Sequence, residues 1–359
     1  MEGLVNAVIS SEFWSGKRVF VTGHTGFKGS WLLAWLQKLG AQIQMLALAP
    51  DTIPNLYSQL NPADDQGHFI GDIRDAALVR ERIQLAKPDI VLHLAAQPLV
   101  LRGYEEPLET WQTNVMGTAH VLDALKGIDR KIAVVIVTTD KVYENREWAH
   151  AYRETDRLGG HDPYSASKAA CELLVKSYQK SFLGNSDIHI GTARAGNVIG
   201  GGDWADNRIT PDLVRALEKG ETLNVRNPNA VRPWQHVLDP LAGYLLMAQA
   251  LWEGKLQSGE ALNFGPEAVD QRSVKELIEE ALKSWPGDWA DTSNPDAVHE
   301  AGRLMLSIDK TREQLNWAPR WDFSQAVAQT IDWYRQVSQG ANPKDLTLKQ
   351  IAAFEAPAE

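Results

Sequence analysis

The chain has little cysteine and no cluster of metal-ligating side chains. Its 359 residues include a single cysteine, Cys171, which cannot form an internal disulfide. This excludes a disulfide-stapled scaffold and is typical of a reducing compartment. Because Cys171 falls on a predicted helix, we interpret it as a small buried side chain. No group of His and Cys residues has the spacing of metal ligands, so we predict no metal site.

Long apolar runs and excess positive charge are also lacking. The longest apolar runs are strand-like segments such as 132–137, far short of the roughly 18 residues of a membrane-spanning helix. Residues 1–14 lack the basic region and apolar core of a secretory signal. The net charge of −10 argues against a surface for nucleic acid or anionic membrane. We therefore expect a cytoplasmic protein whose partners include neither nucleic acid nor membrane.

A glycine turn between a strand and a helix is the most informative feature that is present. Residues 19–21 form an apolar β-type run, and residues 31–39 have the apolar periodicity of a helix. Between them, Gly23 permits a tight turn, Gly26 lets the backbone approach a pyrophosphate, and Gly29 lets the helix lie close to the strand. The helix N-terminus presents unpaired N–H groups to phosphates. This context predicts a dinucleotide-binding site rather than an ordinary glycine-rich loop.

Strands alternate with helices through residue 198. This order predicts right-handed βαβ units and a doubly wound parallel sheet of the α/β class. Loop-like segments after residue 199 predict a smaller lobe. We therefore divide the chain into a dinucleotide-binding domain at 1–198, to which 237–265 returns, and a substrate lobe with a C-terminal tail at 199–359. The other predicted segments are strands at 41–49, 89–96, 132–139, 188–200 and 261–265, helices at 75–86, 110–125, 164–182, 210–219, 238–252, 273–284 and 322–339, irregular connections at 50–67 and 223–237, and a mixed tail after 339.

The segment YSASK, from Tyr164 to Lys168, opens the helix at 164–182. Its spacing puts both side chains on one helix face, where an ammonium lowers the pKa of a phenol and makes it a base near neutral pH. Tyr164 would then remove a hydroxyl proton while hydride from the same carbon goes to a nicotinamide. The alternative is an exposed Tyr beside a solvated Lys. A preceding buried strand that ends at 138–140 favours the catalytic interpretation, because ligands bind at the carboxyl ends of parallel strands.

Four motifs together resemble the extended short-chain dehydrogenase/reductase family. They are TGHTGFKG from Thr22, HLAAQ from His93, TNVMGT from Thr113 and YSASK from Tyr164. Within that family, TTDKVY from Thr138 resembles the nucleotide-sugar 4,6-dehydratases, whose usual pattern there is Thr-Asp-Glu. A Lys in the third position, together with the turn HTGFKGSWL, resembles the dehydratases that act on CDP-linked glucose.

The resemblance implies a Rossmann sheet with a smaller C-terminal lobe that binds a nucleotide sugar. It also implies bound NAD and a closed redox cycle on one sugar, in which C4 is oxidised, water is lost across C5 and C6, and hydride returns to C6. Subunits in the family pair through helices like 110–125 and 164–182, so we expect a homodimer or homotetramer. The alternatives are a dTDP- or GDP-sugar dehydratase, a 4-epimerase, and a non-catalytic dinucleotide-binding sensor.

Five catalytic roles follow from the resemblance. Tyr164 is the base at the C4 hydroxyl, Lys168 tunes it and holds the nicotinamide ribose, and Thr139 hydrogen-bonds the same hydroxyl. Asp140 is the acid at C6, which requires surroundings that keep its carboxyl protonated. Lys141 departs from the family, because the matching Glu is the C5 base; Lys141 either accepts that proton when neutral or stabilises the enolate. The alternative for Asp140 is a strand-end cap, and for Lys141 a solvated or ion-paired side chain.

The remaining site residues are binding residues. The second strand lacks an acid directly after it, although Asp51 is near, and Lys28 and Arg74 are compatible with NADP. A self-regenerating dehydratase nevertheless carries NAD. The residues expected at the cofactor are Gly23, Thr25, Gly26, Phe27, Gly29, Asp72, Ile73, Ala95, Ala96, Asn114, Tyr164 and Lys168, and those expected at the substrate are Arg102, Asn197 and Arg232.

Overall fold

The computed structural model describes residues 8–60, 67–293 and 303–356. In this part of the chain the strands are β1 Arg18–Thr22, β2 Gln42–Ala47, β3 His68–Ile70, β4 Ile90–His93, β5 Ile132–Val137, β6 Ile188–Ala195, β7 Val198–Ile199, β8 Leu223–Val225, β9 Val231–Arg232, β10 Gln235–His236, β11 Ala261–Phe264, β12 Arg272–Ser273 and β13 Trp289–Asp291.

The α-helices of the same residues surround these strands. They are α1 Ser11–Trp14, α2 Phe27–Lys38, α3 Leu56–Gln59, α4 Ala76–Ala86, α5 Val100–Glu105, α6 Pro107–Trp111, α7 Gly117–Leu125, α8 Pro163–Tyr178, α9 Ile209–Lys219, α10 Leu238–Glu253, α11 Val274–Ser284, α12 Asp309–Leu315, α13 Phe323–Ser338 and α14 Pro343–Glu355. None of them is long and apolar enough to span a membrane.

A seven-stranded sheet positions everything else, with strand order β11-β6-β5-β4-β1-β2-β3. All of its pairings are parallel. Every residue of β5 is buried, because helices cover both faces of the sheet and leave no strand face in water. The order reverses between β1 and β4, and in such sheets that switch point opens a crevice at the carboxyl ends of the strands. The predicted doubly wound parallel sheet is confirmed.

Most predicted elements are present, with shifted ends. The helix expected at 31–39 begins at Phe27, directly on the glycine turn, and the one expected at 110–125 begins at Pro107. A π-helical turn at Gln112–Met116 joins α6 to α7, and another at Gln179–Leu183 extends α8. These insertions keep the two predicted helices continuous.

Two segments predicted as irregular, and the tail predicted only as mixed, contain regular structure. The connection at 50–67 includes α3, which Asn55 caps, while its residues 61–66 lie outside the described residues. The segment at 223–237 forms β8, β9 and β10, which are too short for a periodic signal. The tail after 339 contains α14, in which Asn342 caps the N-terminus and Leu346, Ile351 and Phe354 are buried.

Part of the chain after residue 199 returns to the sheet. Strand β11 pairs with β6, and α10 packs on β5 and β6. Helix α14 packs on α2, where Trp35 Nε1 donates to Glu355 Oε1 at 2.7 Å and Lys38 pairs with the same carboxylate. The helix that carries the glycine turn is therefore fixed on its outer side by the C-terminal helix.

Candidate active site

A cavity of about 1210 Å³ opens at the carboxyl edge of the sheet. The glycine turn, the ends of β4, β5 and β6, and the start of α8 line one wall. Residues 202–212 and several residues within 224–234 line the other wall. The cavity therefore lies at the switch point of the sheet, between the two parts of the chain.

The glycine turn leaves open space at one of its glycines, where a phosphate could lie. At the other two glycines, neighbouring backbone occupies the place of a side chain. A Cβ on Gly29 would lie 2.1 Å from Gly23 O, and a Cβ on Gly23, whose φ is +80°, would lie 2.6 Å from Ala95 N. A Cβ on Gly26 would meet only Gly23 O, at 3.5 Å. Gly26 is exposed in the cavity and is the N-cap of α2, without a side-chain cap. The N–H groups of this helix end therefore fit the diphosphate of a dinucleotide.

Buried hydrogen bonds fix the turn relative to β4. His93 Nδ1 lies 2.7 Å from Thr22 Oγ1, and His93 Nε2 lies 3.0 Å from Thr118 Oγ1. Thr22 Oγ1 also accepts from Ala95 N at 3.2 Å. Burial, and then the charge of Lys168, lower the pKa of His93 to about 3, so the imidazole is neutral. The first and fourth strands thus end at one rigid edge, with Ala95 and Ala96 at the cavity surface.

The end of the cavity beside β2 and β3 carries Asp72 and Ile73. Asp72 accepts from Arg74 N at 2.8 Å and from the Arg74 guanidinium at 2.6 Å. Burial raises the pKa of Asp72, but these hydrogen bonds outweigh burial and lower it overall. Asp51 also lines this end, beyond the last residue of β2. Two acceptor carboxylates are therefore available here, one of them already paired with Arg74.

Tyr164 and Lys168 lie at the start of α8, and both line the cavity. Lys168 Nζ donates to Val137 O at 3.1 Å, and burial lowers the pKa of Lys168. The prediction that the pKa of Tyr164 is lowered is wrong for the protein alone. Burial raises the pKa of Tyr164 to about 12, against the lowering effect of a hydrogen bond with Thr139. The Lys168 ammonium donates to a backbone carbonyl, and burial is the largest influence on the pKa of the Tyr164 phenol.

Thr139, Asp140 and Lys141 follow β5, and Thr139 and Lys141 line the cavity. Asp140 is fully buried behind them and does not itself line it. Thr139 Oγ1 donates to Asp140 Oδ1 at 2.9 Å, and Lys141 Nζ lies 3.6 Å from the same oxygen. Asp140 Oδ2 is buried with no hydrogen-bond partner among the described residues. The structure therefore contains the ion pair of Lys141 that the sequence left as an alternative.

Two more cations face this group, and sequence reasoning gave neither a catalytic role. Lys28 follows the glycine turn and lines the cavity; burial, then the charge of Arg208, lower its pKa to about 7, with Lys168 and Lys141 adding to the shift. Arg208 lines the opposite wall and donates to Asp203 Oδ2 at 2.8 Å, a contact that raises the pKa of Arg208. The sequence linked Lys28 only to the glycine turn and to NADP and gave no signal for Arg208, because only the fold brings 28 and 208 together.

The three residues predicted at the substrate all line the cavity. Arg102 is paired with Glu109 through two hydrogen bonds of 3.0 Å. Asn197 Oδ1 is a buried acceptor with no hydrogen-bond partner in the described part of the chain. Arg232 is 9% exposed and its Nη1 donates to Val231 O at 3.1 Å.

Asn114 is the predicted cofactor residue that does not line the cavity. It is buried, its Oδ1 accepts from Gln97 N at 2.8 Å, and its Nδ2 donates to Gln97 O at 3.1 Å and to Ser167 Oγ at 2.9 Å. These bonds join the loop after β4 to α8. Asn114, which its motif predicted to contact the cofactor, therefore lies behind the cavity wall and stabilises it.

The described residues contain no group of three or more His, Cys, Asp or Glu side chains that could hold a metal ion. The chemistry of the cavity rests on the glycine turn, the Tyr-Lys pair and the strand end that follows β5. A family model described as GDP-mannose 4,6 dehydratase matches residues 20–330. The chain belongs to this family. The predicted nucleotide-sugar dehydratase relationship is thereby confirmed.

Individual relatives of this dehydratase family agree with the match. A curated CDP-glucose 4,6-dehydratase from Salmonella typhimurium is 42% identical over 97% of this chain and 98% of its own length. The crystal structure of DesIV, a dTDP-glucose 4,6-dehydratase from Streptomyces venezuelae with NAD bound, has a TM-score of 0.76 at 26% identity and covers 91% of this chain and 99% of its own. A UDP-glucose-4-epimerase from Stenotrophomonas maltophila shares the fold, with a TM-score of 0.77 at 22% identity over 90% of this chain and all of its own.

Proposed function

We propose that the protein is an NAD-dependent hydro-lyase that converts CDP-D-glucose to CDP-4-keto-6-deoxy-D-glucose. The observation that carries the proposal is the meeting of Thr139 and Lys141 with Tyr164 and Lys168 at one wall of the cavity that the glycine turn also lines. The choice of the CDP sugar rests on the 42% identity to the Salmonella enzyme over nearly the whole of both chains.

The first step is oxidation at C4 of the glucosyl unit. Thr139 holds the C4 hydroxyl, and Tyr164 accepts its proton. When bound, NAD⁺ supplies the hydride acceptor, and a positive ring charge of the kind that lowers the pKa of a nearby phenol. Arg208 adds a second lowering influence on Tyr164 from the opposite wall. The raised pKa of Tyr164 in the protein alone therefore keeps the base protonated until the site is filled.

The second step is loss of water across C5 and C6, after which a hydride returns to C6 and a proton returns to C5. The C4 ketone acidifies the C5 proton, and Lys141 either accepts that proton when neutral or stabilises the enolate. Asp140 supplies the proton to the departing C6 oxygen, and its buried Oδ2 has no hydrogen-bond partner among the described residues that would compete for this role. A 4-epimerase needs no such acid, so this buried carboxyl favours dehydration over epimerisation.

Binding is divided between the two walls. We assign the NAD side to 1–198 with 237–265, where Thr25, Phe27, Ile73, Ala95 and the glycines surround the cofactor. We assign the nucleotide sugar mainly to 199–359, where Arg232 contacts the diphosphate, with Asn197 and Arg102 of 1–198 adding contacts.

We also propose that the protein is a cytoplasmic homodimer or homotetramer. Helices α5 to α8, with the π-helical turn that extends α8, expose large apolar side chains, including Leu108 at 75%, Leu173 at 60% and Phe182 at 55%. Such a patch on consecutive helices suits a subunit interface. The same helices hold Tyr164 and Lys168, so pairing would stiffen the catalytic wall.

Mass spectrometry of the sugar nucleotide tests the proposed reaction. Purified protein with NAD is incubated separately with CDP-, dTDP-, UDP- and GDP-glucose. We expect loss of one water from CDP-glucose and no change in the other three. Water loss from another nucleotide sugar would reassign the base, and an isomer of unchanged mass would replace dehydration with epimerisation.

A further inference from the structure

One buried carboxylate outside the cavity touches both catalytic segments. Glu172 lies on α8, one turn after Lys168, and its side chain is 0% exposed. Its Oε1 accepts from Thr138 Oγ1 at 2.6 Å. Thr138 directly precedes Thr139 at the end of β5. The carboxylate therefore joins the helix that carries Tyr164 and Lys168 to the strand end that carries Thr139.

An arginine keeps this carboxylate charged and oriented. Arg194 of β6 donates from Nε to Glu172 Oε1 at 3.0 Å and from Nη2 to Oε2 at 2.7 Å. Burial raises the pKa of Glu172, but the charge and hydrogen bonds of Arg194 outweigh burial and lower it overall. Thr192 of the same strand donates to Oε2 at 2.7 Å. With bonds directed at both oxygens, the carboxylate has one orientation available.

The network continues behind the cavity. Arg194 Nη1 donates to Tyr143 OH at 2.8 Å, and Tyr143 OH donates to Asn263 Oδ1 of β11 at 2.7 Å. Glu172 is thus tied to β5, β6 and β11 at once. Of the groups in this network, Thr138 and Tyr143 line the cavity, whereas Glu172 and Arg194 do not.

Thr138 is flanked on both sides by atoms of the catalytic arrangement. The carbonyl of Val137 before it accepts from Lys168 Nζ at 3.1 Å, and Thr139 after it lies beside Tyr164 and Asp140. We propose that Glu172 is a positioning residue, which acts through its hydrogen bond to Thr138 to hold the strand end in register with the Tyr164–Lys168 face of α8. This inference rests on the proposed function, because it concerns the rate of that reaction.

Two threonine variants separate positioning from general stability. Thr138→Val and Thr192→Val each remove one buried hydroxyl that donates to Glu172, but only Thr138 adjoins the catalytic strand end. We expect the two variants to lose similar amounts of thermal stability. We expect kcat with CDP-glucose to fall at least about tenfold in Thr138→Val, with KM within about threefold of native, because small misplacements slow a step without weakening binding.

Thr192→Val should keep kcat within about twofold of native, and Thr138→Ser, which restores the donor, should recover most of the kcat lost in Thr138→Val. A native kcat in Thr138→Val, or an equal loss of kcat in both valine variants, would overturn the positioning role. The native protein is assayed in parallel. If it is inactive on CDP-glucose, the proposed function fails, and the same comparison is made with the nucleotide sugar that it does convert.

Discussion

Tyr164 must already be deprotonated to accept the C4 hydroxyl proton in the proposed reaction, although burial raises its pKa to about 12. Thr139 and Arg208 act against that shift, and Asp140 adds to it. Two residues of the strand end thus have opposite effects on the base. The roles of Tyr164 and Asp140 in the reaction also differ, because Tyr164 acts before the ketone forms and Asp140 acts after it has formed.

Variants at these two positions should therefore fail at different stages. Tyr164→Phe removes the only proposed acceptor of the C4 proton, and we expect turnover to fall by about 10³-fold or more with no keto intermediate formed. Asp140→Asn leaves Tyr164 in place but cannot donate to the C6 oxygen, so the 4-keto hexose should accumulate without loss of water. Rapid-quench mass spectrometry of the sugar nucleotide distinguishes unreacted CDP-glucose from the 4-keto hexose. Unimpaired turnover in either variant would contradict the role assigned to that residue.

At the scale of elements, the glycine turn separates a packing requirement from a binding requirement. A Cβ on Gly29 would lie 2.1 Å from Gly23 O and would push α2 away from β1, whereas a Cβ on Gly26 meets only one atom, at 3.5 Å, and points toward the cavity. We expect Gly29→Ala to lower the melting temperature by several degrees or to prevent folding. We expect Gly26→Ala to keep a near-native melting temperature but to lose at least about tenfold in NAD affinity.

Thermal unfolding and NAD titration of the two glycine variants check this contrast. The two alanines are the same chemical change in one turn, so each variant is the control for the other. Native NAD affinity in Gly26→Ala would show that the diphosphate does not lie against this glycine. Native stability in Gly29→Ala would contradict the close approach of α2 to the backbone of the turn at Gly23.

The start of α10 gives a pH dependence of stability. Asp239 is fully buried, its Oδ1 accepts from Arg320 N at 2.7 Å, and burial raises its pKa to about 7. An unfolded Asp has a pKa of about 3.9, so between about pH 4 and pH 7 the folded state binds more protons than the unfolded state. The free energy of unfolding therefore falls as pH rises through that window. The full effect above pH 7 is on the order of 4 kcal/mol.

Calorimetry from pH 5 to pH 8 tests this pH dependence. The melting temperature of the native protein should fall with rising pH more steeply than that of Asp239→Asn, which has no proton to lose at this site. Parallel curves for the two proteins would show that Asp239 does not titrate in this range. The comparison of slopes holds whatever the absolute stability of the variant.

At the scale of the whole molecule, the apolar face of α5 to α8 should pair subunits. Leu173 of α8 is 60% exposed, and a charge there would have to be buried in the proposed interface. We expect Leu173→Arg to shift the native oligomer to a smaller species in light scattering. Val269 is 76% exposed outside these helices, so Val269→Arg adds the same charge elsewhere and should leave the assembly unchanged. An unchanged mass for Leu173→Arg would exclude this face.

The sequence predicted the local parts of the molecule and missed what depends on distant residues. The glycine turn, the Tyr-Lys spacing and the buried strands each leave a pattern within a short stretch of sequence. The sheet and one cavity wall could therefore be predicted from these patterns. Helix α14 was missed although Asn342 and Pro343 form a capping signal, because its burial depends on packing against α2. The contact of Glu172 with Arg194 joins two elements through the sheet, and no local pattern predicts it.

The central claim is that one sugar both gives and receives the hydride. The most direct measurement uses CDP-glucose with deuterium at C4, followed by mass spectrometry and NMR of the product. We predict that the deuterium appears in the C6 methyl group of the same molecule, with no net consumption of NAD. Deuterium retained at C4 in an isomer of the substrate, or lost from the sugar altogether, would contradict it.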